Sequence, residues 1–350
     1  MIAADFQQKL VGSAPRLRQL LSQFHQTKVL VVGDLTLDEF LTGQTERISR
    51  EAPVLIVRHE TTKQVPGGGA NAVYNLAKLG GNVAVVGLIG DDDQGKALVD
   101  IFQSAGIDTT GIITDGDRPT VTKTRISAHA RQSVTQQIVR IDRKSDLPPS
   151  PAVQEQLIAA IQEKLPQVAA VVCSDYGEGV MQAGVIATAL QHPLVIVDTQ
   201  KDLQRYRGAT IFTPNLPEAE LALGCSITPD NLVQAGEDLR QITSASAMLI
   251  TRGEEGMSLF EPANHYHIPA FNRTQVFDVT GAGDTVVAAL TLALANSASF
   301  WESAVLGNLA ASIVVRQFGT TTTNVREMLE ALAQITAPTS RGNISPSMTS

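Results

Sequence analysis

The residues best placed to do chemistry are Asp278-Val-Thr-Gly-Ala-Gly-Asp284, which run straight into the apolar stretch Thr285-Val-Val-Ala-Ala-Leu290. A polar segment with two glycines that opens an apolar helix leaves the first helical N–H groups without intrahelical partners. Those amides and the positive end of the helix dipole make an anion site. Gly281, Ala282 and Gly283 are the expected donors. Asp284 would repel an anion, so it makes sense as a base aimed at a neutral hydroxyl beside one. An ordinary Asp, with a pKa of ~3.9, is ionised and ready at neutral pH. Phosphoryl transfer needs this pairing, because charge gathers on the oxygens of a loose transition state. The other reading of Asp284 is a simple helix cap.

A second group lies near the N-terminus. Gly67-Gly68-Gly69 permit close backbone approach to a polyol ring, and Asn71 offers a donor and an acceptor to hydroxyls. Gly33-Asp34 ends an apolar strand, with Asp38 one turn later. Carboxylates at strand C-termini sit where open α/β sheets bind ligands, so both are expected to face a sugar. A turn or capping role is the alternative for Asp34.

Together these segments resemble the two signatures of the PfkB (ribokinase-like) carbohydrate kinase family. Residues 278–284 match its C-terminal signature in full, and Gly67–Asn71 with Gly80 and Gly90 match the N-terminal one, with Val73 where a small residue is usual. The resemblance spans roughly residues 28–330. It implies ATP and Mg2+ as cofactors. It places Asn215 and Glu218 near the phosphates and the Mg2+ water shell, Thr251 and Gly253 beside the nucleotide phosphates, and Asn308 on the adenine pocket. A solvent-facing Asn308 is the alternative. It also implies a K+-type site at Asp278 and Thr280, as in some relatives.

Four further segments are similar to the kinase half of bacterial heptose-synthesis enzymes: Gly43–Val54, Ser174-Asp175-Tyr176, Arg205–Thr210 and Thr251–Ser258. Those relatives phosphorylate D-glycero-β-D-manno-heptose 7-phosphate at C1. Asp198-Thr-Gln-Lys201 departs from their Asp-Pro-Lys-Gly. Some of them carry a nucleotidyltransferase domain, and this chain is expected to be kinase only.

The elements that must position these residues follow from periodicity. Apolar strands are expected at 29–32, 83–88, 168–173, 194–197, 210–212 and 248–250. Helices are expected at 70–79, 94–104, 153–164, 216–223, 231–241, 282–295 and 301–316. The strands lack in/out alternation, as expected when helices cover both faces. Alternating β and α elements predict a doubly wound, mainly parallel α/β sheet. Residues 53–60 and 119–141 are rich in β-branched residues and alternate better, predicting an antiparallel patch. That patch makes a small β-sheet lid, drawn from roughly 35–65 and 112–143, with dimerisation through it as a further expectation. Residues 1–27 read as an N-terminal helical extension, 28–336 as the kinase domain and 337–350 as a disordered tail.

A net charge of −8 over 350 residues excludes the clustered cations that nucleic acid requires. Within it, residues 118–144 reverse sign locally: Arg118, Lys123, Arg125, Arg131, Arg140, Arg143 and Lys144 face one acid, Asp142. Lys123, Arg125 and Arg140 are expected to clamp a sugar phosphate, Arg bidentately; a solvated strand face or pairing with a second subunit is the alternative. No apolar run approaches the ~20 residues of a membrane span. No signal-peptide pattern opens the chain, and the two cysteines form no CxxC, so a cytoplasmic protein is expected. Gly90–Ala97 has P-loop spacing but carries three carboxylates, and reads as an acidic loop before a helix. His265 and His267 lack a third metal ligand and read as an exposed strand. Another sugar kinase of this family, a nucleoside or vitamin kinase, or a non-catalytic sugar- or nucleotide-binding regulator of the same fold are the competing readings.

Overall fold

The computed structural model describes residues 4–130, 134–272, 276–317 and 319–337. The tail expected from 337 onward therefore lies, after its first residue, outside the described residues, as does Arg131. The chain begins with α1 (Ala4–Gln23), β1 (Lys28–Gly33), β2 (Leu35–Ile48), β3 (Leu55–Gly68) and α2 (Gly69–Lys78). Next come β4 (Asn82–Gly90), α3 (Asp93–Ser104), β5 (Asp108–Asp115), β6 (Val121–His129), β7 (Gln136–Arg143) and α4 (Pro151–Lys164). The middle runs through β8 (Ala170–Asp175), α5 (Ala183–Ala189), β9 (Val195–Thr199), β10 (Ile211–Phe212), α6 (Leu216–Leu223) and α7 (Leu232–Thr243). Last are β11 (Ala247–Thr251), β12 (Met257–Glu261), β13 (Asn264–Ile268), α8 (Ala282–Ala295), α9 (Phe300–Val314) and α10 (Val325–Thr336).

Among the described residues, nine strands form the main sheet in the order β13-β12-β11-β10-β9-β8-β1-β4-β5. From β11 to β5 every pairing is parallel, and β12 and β13 add an antiparallel edge. The apolar strands serve two cores at once. Val29 and Val31 of β1 join one core with α1, α2, α8 and α9, while Leu30 and Val32 join the other with α4, α5 and α7. Covering both faces removes any polar position from the strand, which is why alternation is missing.

The second sheet is the lid, in the order β3-β2-β6-β7. Two expectations about it are corrected. Residues 108–115 belong to the main sheet as β5, so the second lid segment starts at Val121 rather than near 112. The lid is also not purely antiparallel, because β2 and β6 pair in parallel. Both strands rise from parallel strands of the main sheet, β1 and β5, and so enter the lid in the same direction. The N-terminal helix docks on the main domain. Leu10, Leu17, Leu20, Leu21 and Phe24 are fully buried, and Lys9 Nζ lies 4.2 Å above the Trp301 ring of α9.

Candidate active site

The loops after the parallel strands, with the N-termini of α2 and α8, meet at one end of the main sheet. There a cavity of about 210 Å³ is lined by Asp198, Thr213, Asn215, Glu218, Thr251, Gly281, Gly283 and Asp284, among others. α8 starts where expected. Gly281 takes φ 76°, and a Cβ on it would stand 2.7 Å from Asn71 Nδ2, so only glycine fits this turn. Behind it Thr285 to Ala293 are buried, which anchors the helix end against the sheet.

Asp284 lies at the cavity wall, 5% exposed. Its Oδ2 accepts from Asn71 Nδ2 at 2.6 Å and its Oδ1 from the Tyr176 hydroxyl at 3.0 Å. Behind Asn71, Asn75 Nδ2 donates to Asn71 Oδ1 (3.0 Å), and Thr285 Oγ1 donates to Asn75 Oδ1 (2.8 Å). A buried chain of amides thus fixes the carboxylate. Burial pushes the Asp284 carboxyl up to about 6; the hydrogen bonds from Asn71 and Tyr176 oppose this, and nearby Asp38 adds to it. The ordinary acidity expected from sequence is corrected accordingly.

The three expected amide donors are not equivalent. Ala282 N–H donates to Val279 O at 3.1 Å, so Ala282 is removed from the donor set. Among the described residues, the N–H groups of the expected donors Gly281 and Gly283, and of Asp284, find no protein acceptor, and all three residues line the cavity.

On the sugar side the structure separates the two aspartates. Asp34 is 1% exposed, and its carboxylate accepts from the backbone N–H groups of Tyr176 (2.9 Å), Glu178 (3.0 Å) and Val180 (3.0 Å). Burial raises it to about 6, against those three amides and with Asp175 adding to the rise. Its expected sugar contact is therefore corrected: it holds the loop after β8. Asp38 remains beside the glycine loop, where a Cβ on Gly67 would stand 2.5 Å from its Oδ2. Gly68 takes φ 52° and starts α2. Asn71, expected to meet sugar hydroxyls, gives one Nδ2 donor to Asp284 in this structure.

The basic segment does not form one clamp. Arg125 Nη1 pairs with Asp38 Oδ1 at 2.7 Å, and Arg140, exposed on β7, pairs with Asp142 at 2.8 Å. Each guanidinium thus has a carboxylate partner and spends one edge on it, which leaves further N–H donors on both. Lys123 has no acid partner among the described residues, and its Nζ lies 5.9 Å from the Tyr176 ring centre.

On the nucleotide side, Asn215 and Glu218 form a reciprocal capping box at the start of α6. Glu218 and Asp198 both line the cavity with Asp284. Burial raises the Asp198 carboxyl well above its usual range, and the charges of Asp284 and Glu218 raise it further. Burial also raises Glu218, against its bonds to Asn215. Three acids that repel one another around a polar cavity suit a hard divalent cation, and oxygen ligands are what Mg2+ prefers. Among the described residues, no group of three His, Cys, Asp or Glu side chains converges into a preformed metal cage. Gly253 follows β11 at φ 57°. Asn308 is 5% exposed and donates to Pro269 O at 2.8 Å. Its burial corrects the solvent-facing reading.

Asp278 accepts from the N–H groups of Thr280 (2.9 Å) and Gly319 (3.0 Å). Burial pushes its carboxyl up, but those bonds outweigh it and hold it below the usual range. Of the signals set aside, Asp92 caps α3 through Gly95 N–H, and His265 of β13 stacks on Phe260 of β12.

Sequence reasoning gave no site role to Tyr176, Asp198, Asn75 or Asp175, although Asp175 and Tyr176 lie in a segment singled out for its likeness to heptose-synthesis kinases and Asp198 opens the one that departs from them. Asp175 accepts from Arg205 (2.9 Å) and Tyr206 (2.7 Å), binding two of the four heptose-kinase-like segments together. Tyr176 and Asp198 lie at or just beyond strand C-termini, the rule that singled out Asp34 and Asp38.

Comparison with known proteins places this geometry. The profile of the "pfkB family carbohydrate kinase" matches residues 26–327. The chain is 41% identical over 324 residues to the bifunctional protein HldE of Geobacter metallireducens, covering 90% of this chain and 65% of the relative. It is 39% identical over 322 residues to HldE of Haemophilus influenzae, covering 90% and 66%. The chain thus spans less than two thirds of the length of these curated relatives. Among solved structures, phosphofructokinase-2 from Escherichia coli in complex with potassium superposes with a TM-score of 0.71 at 19% identity, covering 89% of this chain and all of that one. Arabidopsis thaliana ribokinase complexed with ribose and ATP superposes with a TM-score of 0.68 at 20% identity, covering 87% and 98%. These two likenesses establish the ribokinase-like fold.

Proposed function

The chain belongs to the pfkB family of carbohydrate kinases, phosphotransferases with an alcohol acceptor, and from that premise we propose that it transfers the γ-phosphoryl group of ATP to C1 of a heptose 7-phosphate, with Asp284 as the base. The observation that carries this reading is the Asp284 carboxylate itself: it faces the cavity beside the open amides of Gly281, Gly283 and Asp284 and is oriented by Asn71 and Tyr176. At pH 7 a carboxyl with a pKa of about 6 is mostly ionised yet basic enough to take a hydroxyl proton. The Gly283 and Asp284 amides stabilise the charge that grows on the transferring group.

Asp38, beside the Gly67–Gly68 loop and fixed by Arg125, accepts from the sugar hydroxyls. Of the three expected clamp cations, Lys123 has no acid partner among the described residues and is the one assigned to the substrate phosphate. Asp198 and Glu218 are the residues that would hold Mg2+, which would supply charge neutralisation at the nucleotide phosphates. Thr251 and the Asn215 end of α6 border the nucleotide. Asp278 and Thr280 are proposed for K+; the potassium complex of the Escherichia coli neighbour supports that reading.

Heptose 7-phosphate is favoured because identity near 40% extends over 90% of the chain, and because segments shared with heptose-synthesis kinases meet at Asp175 beside the site. A cytoplasmic reaction is the reading we favour: Cys225 is an exposed cysteine outside any disulfide, which suits a reducing compartment. Ile48, Val54, Leu55, Ile138, Val139 and Ile141 are exposed on or beside the lid strands, which supports pairing of two copies through that face. An assay of ADP release across sugars, sugar phosphates and nucleosides tests the substrate. Heptose 7-phosphate is expected to give the highest kcat/KM, and a preference for an unphosphorylated sugar or a nucleoside contradicts the assignment.

A further inference from the structure

The Asp284 carboxylate has one protein donor on each oxygen, and the one on Oδ1 lies outside every glycine motif. We propose that Tyr176 is the positioning residue of this site: its hydroxyl holds Asp284 Oδ1 so that the carboxylate turns a free lone pair toward the acceptor hydroxyl. This rests on the reading of Asp284 as the base.

Tyr176 is held as a positioning group must be. The loop from Tyr176 to Val180 is pinned by one buried carboxylate, that of Asp34, through three backbone N–H groups. The two strands leading into and out of the lid grip the same loop. Arg118 Nη2, ahead of β6, donates to Glu178 O at 2.9 Å, and Lys144 Nζ, just past β7, lies 3.6 Å from Glu178 Oε2. The Tyr176 ring borders Gly68, where an added Cβ would meet its Cδ2 at 3.5 Å, and Lys123 Nζ stands 5.9 Å from its centre. One side chain therefore touches the sugar loop, the lid and the base.

The chemistry agrees with the geometry. Burial, then the charges of Asp284 and Asp198, push the Tyr176 phenol well above its usual range, so it stays a neutral donor. A hydrogen bond donated to a carboxylate favours its ionised form. The charged groups around Asp284 are Asp38 of β2, itself paired with Arg125 of β6; Asp198 of β9; Glu218 of α6; and Lys123 over the tyrosine ring. None of the acids donates to Asp284, so removing the phenol hydroxyl leaves Oδ1 with no protein donor among the described residues.

The test is Tyr176→Phe, which keeps the ring and its packing. Two quantities are read in wild type and variant. One is the titration midpoint of Asp284, followed by carbon-13 NMR of labelled aspartate carboxyls and identified with Asp284→Asn. The other is the pH profile of kcat with D-glycero-β-D-manno-heptose 7-phosphate as acceptor. The midpoint and the acidic limb of kcat are both expected to move up by about half to one pH unit. KM is expected to stay within about twofold, since Tyr176 acts through Asp284. An unmoved midpoint overturns the proposal, whatever the rate does. If the midpoint moves but wild type leaves this acceptor untouched, the role of Tyr176 stands on the titration and the substrate reading falls.

Discussion

Asn71 Nδ2 donates to Asp284 Oδ2 at 2.6 Å, joining the first turns of two helices whose contacting residues lie 213 positions apart. The bond makes the site bipartite: the glycine loop that starts α2 and the glycine loop that starts α8 are registered to each other by a side chain. Asn75 and Thr285 extend the link one layer deeper. Asn71→Ala is expected to lower kcat by at least about tenfold through loss of orientation, with KM for ATP little changed. Steady-state kinetics checks this, and a variant altered only in KM for ATP would contradict it.

Glu218 has two duties that one substitution separates. Its carboxylate caps α6 through Asn215 N–H, and its charge faces the cavity. Glu218→Gln retains a capping acceptor and deletes the charge. Thermal stability is expected to stay near wild type, while the Mg2+ concentration for half-maximal rate rises about tenfold. An unchanged Mg2+ requirement would remove Glu218 from the ion's shell.

Asp34 controls the loop that carries Tyr176. Asp34→Asn replaces one acceptor oxygen with an NH2 group facing backbone N–H donors. The cost is expected to be about 1–3 kcal/mol of unfolding free energy, together with reduced kcat as Tyr176 shifts. Urea unfolding measures the first and steady-state kinetics the second. A stable variant with a raised acceptor KM and normal kcat would return Asp34 to the sugar.

The raised carboxyl of Asp284 makes a prediction about stability with a definite sign. Its folded value of about 6 lies above the ordinary carboxylate value, so the native state holds more protons than the unfolded state between about pH 4 and 6. The group's contribution is most favourable below that window and is lost as pH rises through about 6. Asp284→Asn removes the penalty. Relative to wild type, its unfolding free energy is expected to increase as pH rises from 4.5 to 7, by up to about 3 kcal/mol. A difference that stays flat across this range would show that burial does not strain the carboxylate.

Much of the architecture was legible in sequence because its signals are local. The two-sided apolar strands, the start of α8 and the glycine turn before α2 each follow from a few adjacent residues. What escaped depends on distant partners. Asp34 and Asp38 look alike in sequence, and only a loop 142 to 146 residues away decides that one holds backbone amides. The same holds for Arg125, whose carboxylate partner is 87 residues away. β5, with the polar sequence DTTGIITD, carries too few apolar residues to be told from the lid that follows it. The parallel pairing of β2 with β6 depends on topology, since adjacent residues carry no record of which way a strand enters.

The central claim is that Asp284 takes the proton from the acceptor alcohol. Its most direct test is the single-turnover rate of Asp284→Asn at pH 7.5 with saturating MgATP and heptose 7-phosphate, alongside ATP binding by calorimetry. The rate is expected to fall about 10²- to 10⁴-fold while ATP affinity stays within about threefold. A variant that turns over within a few-fold of wild type would contradict the account.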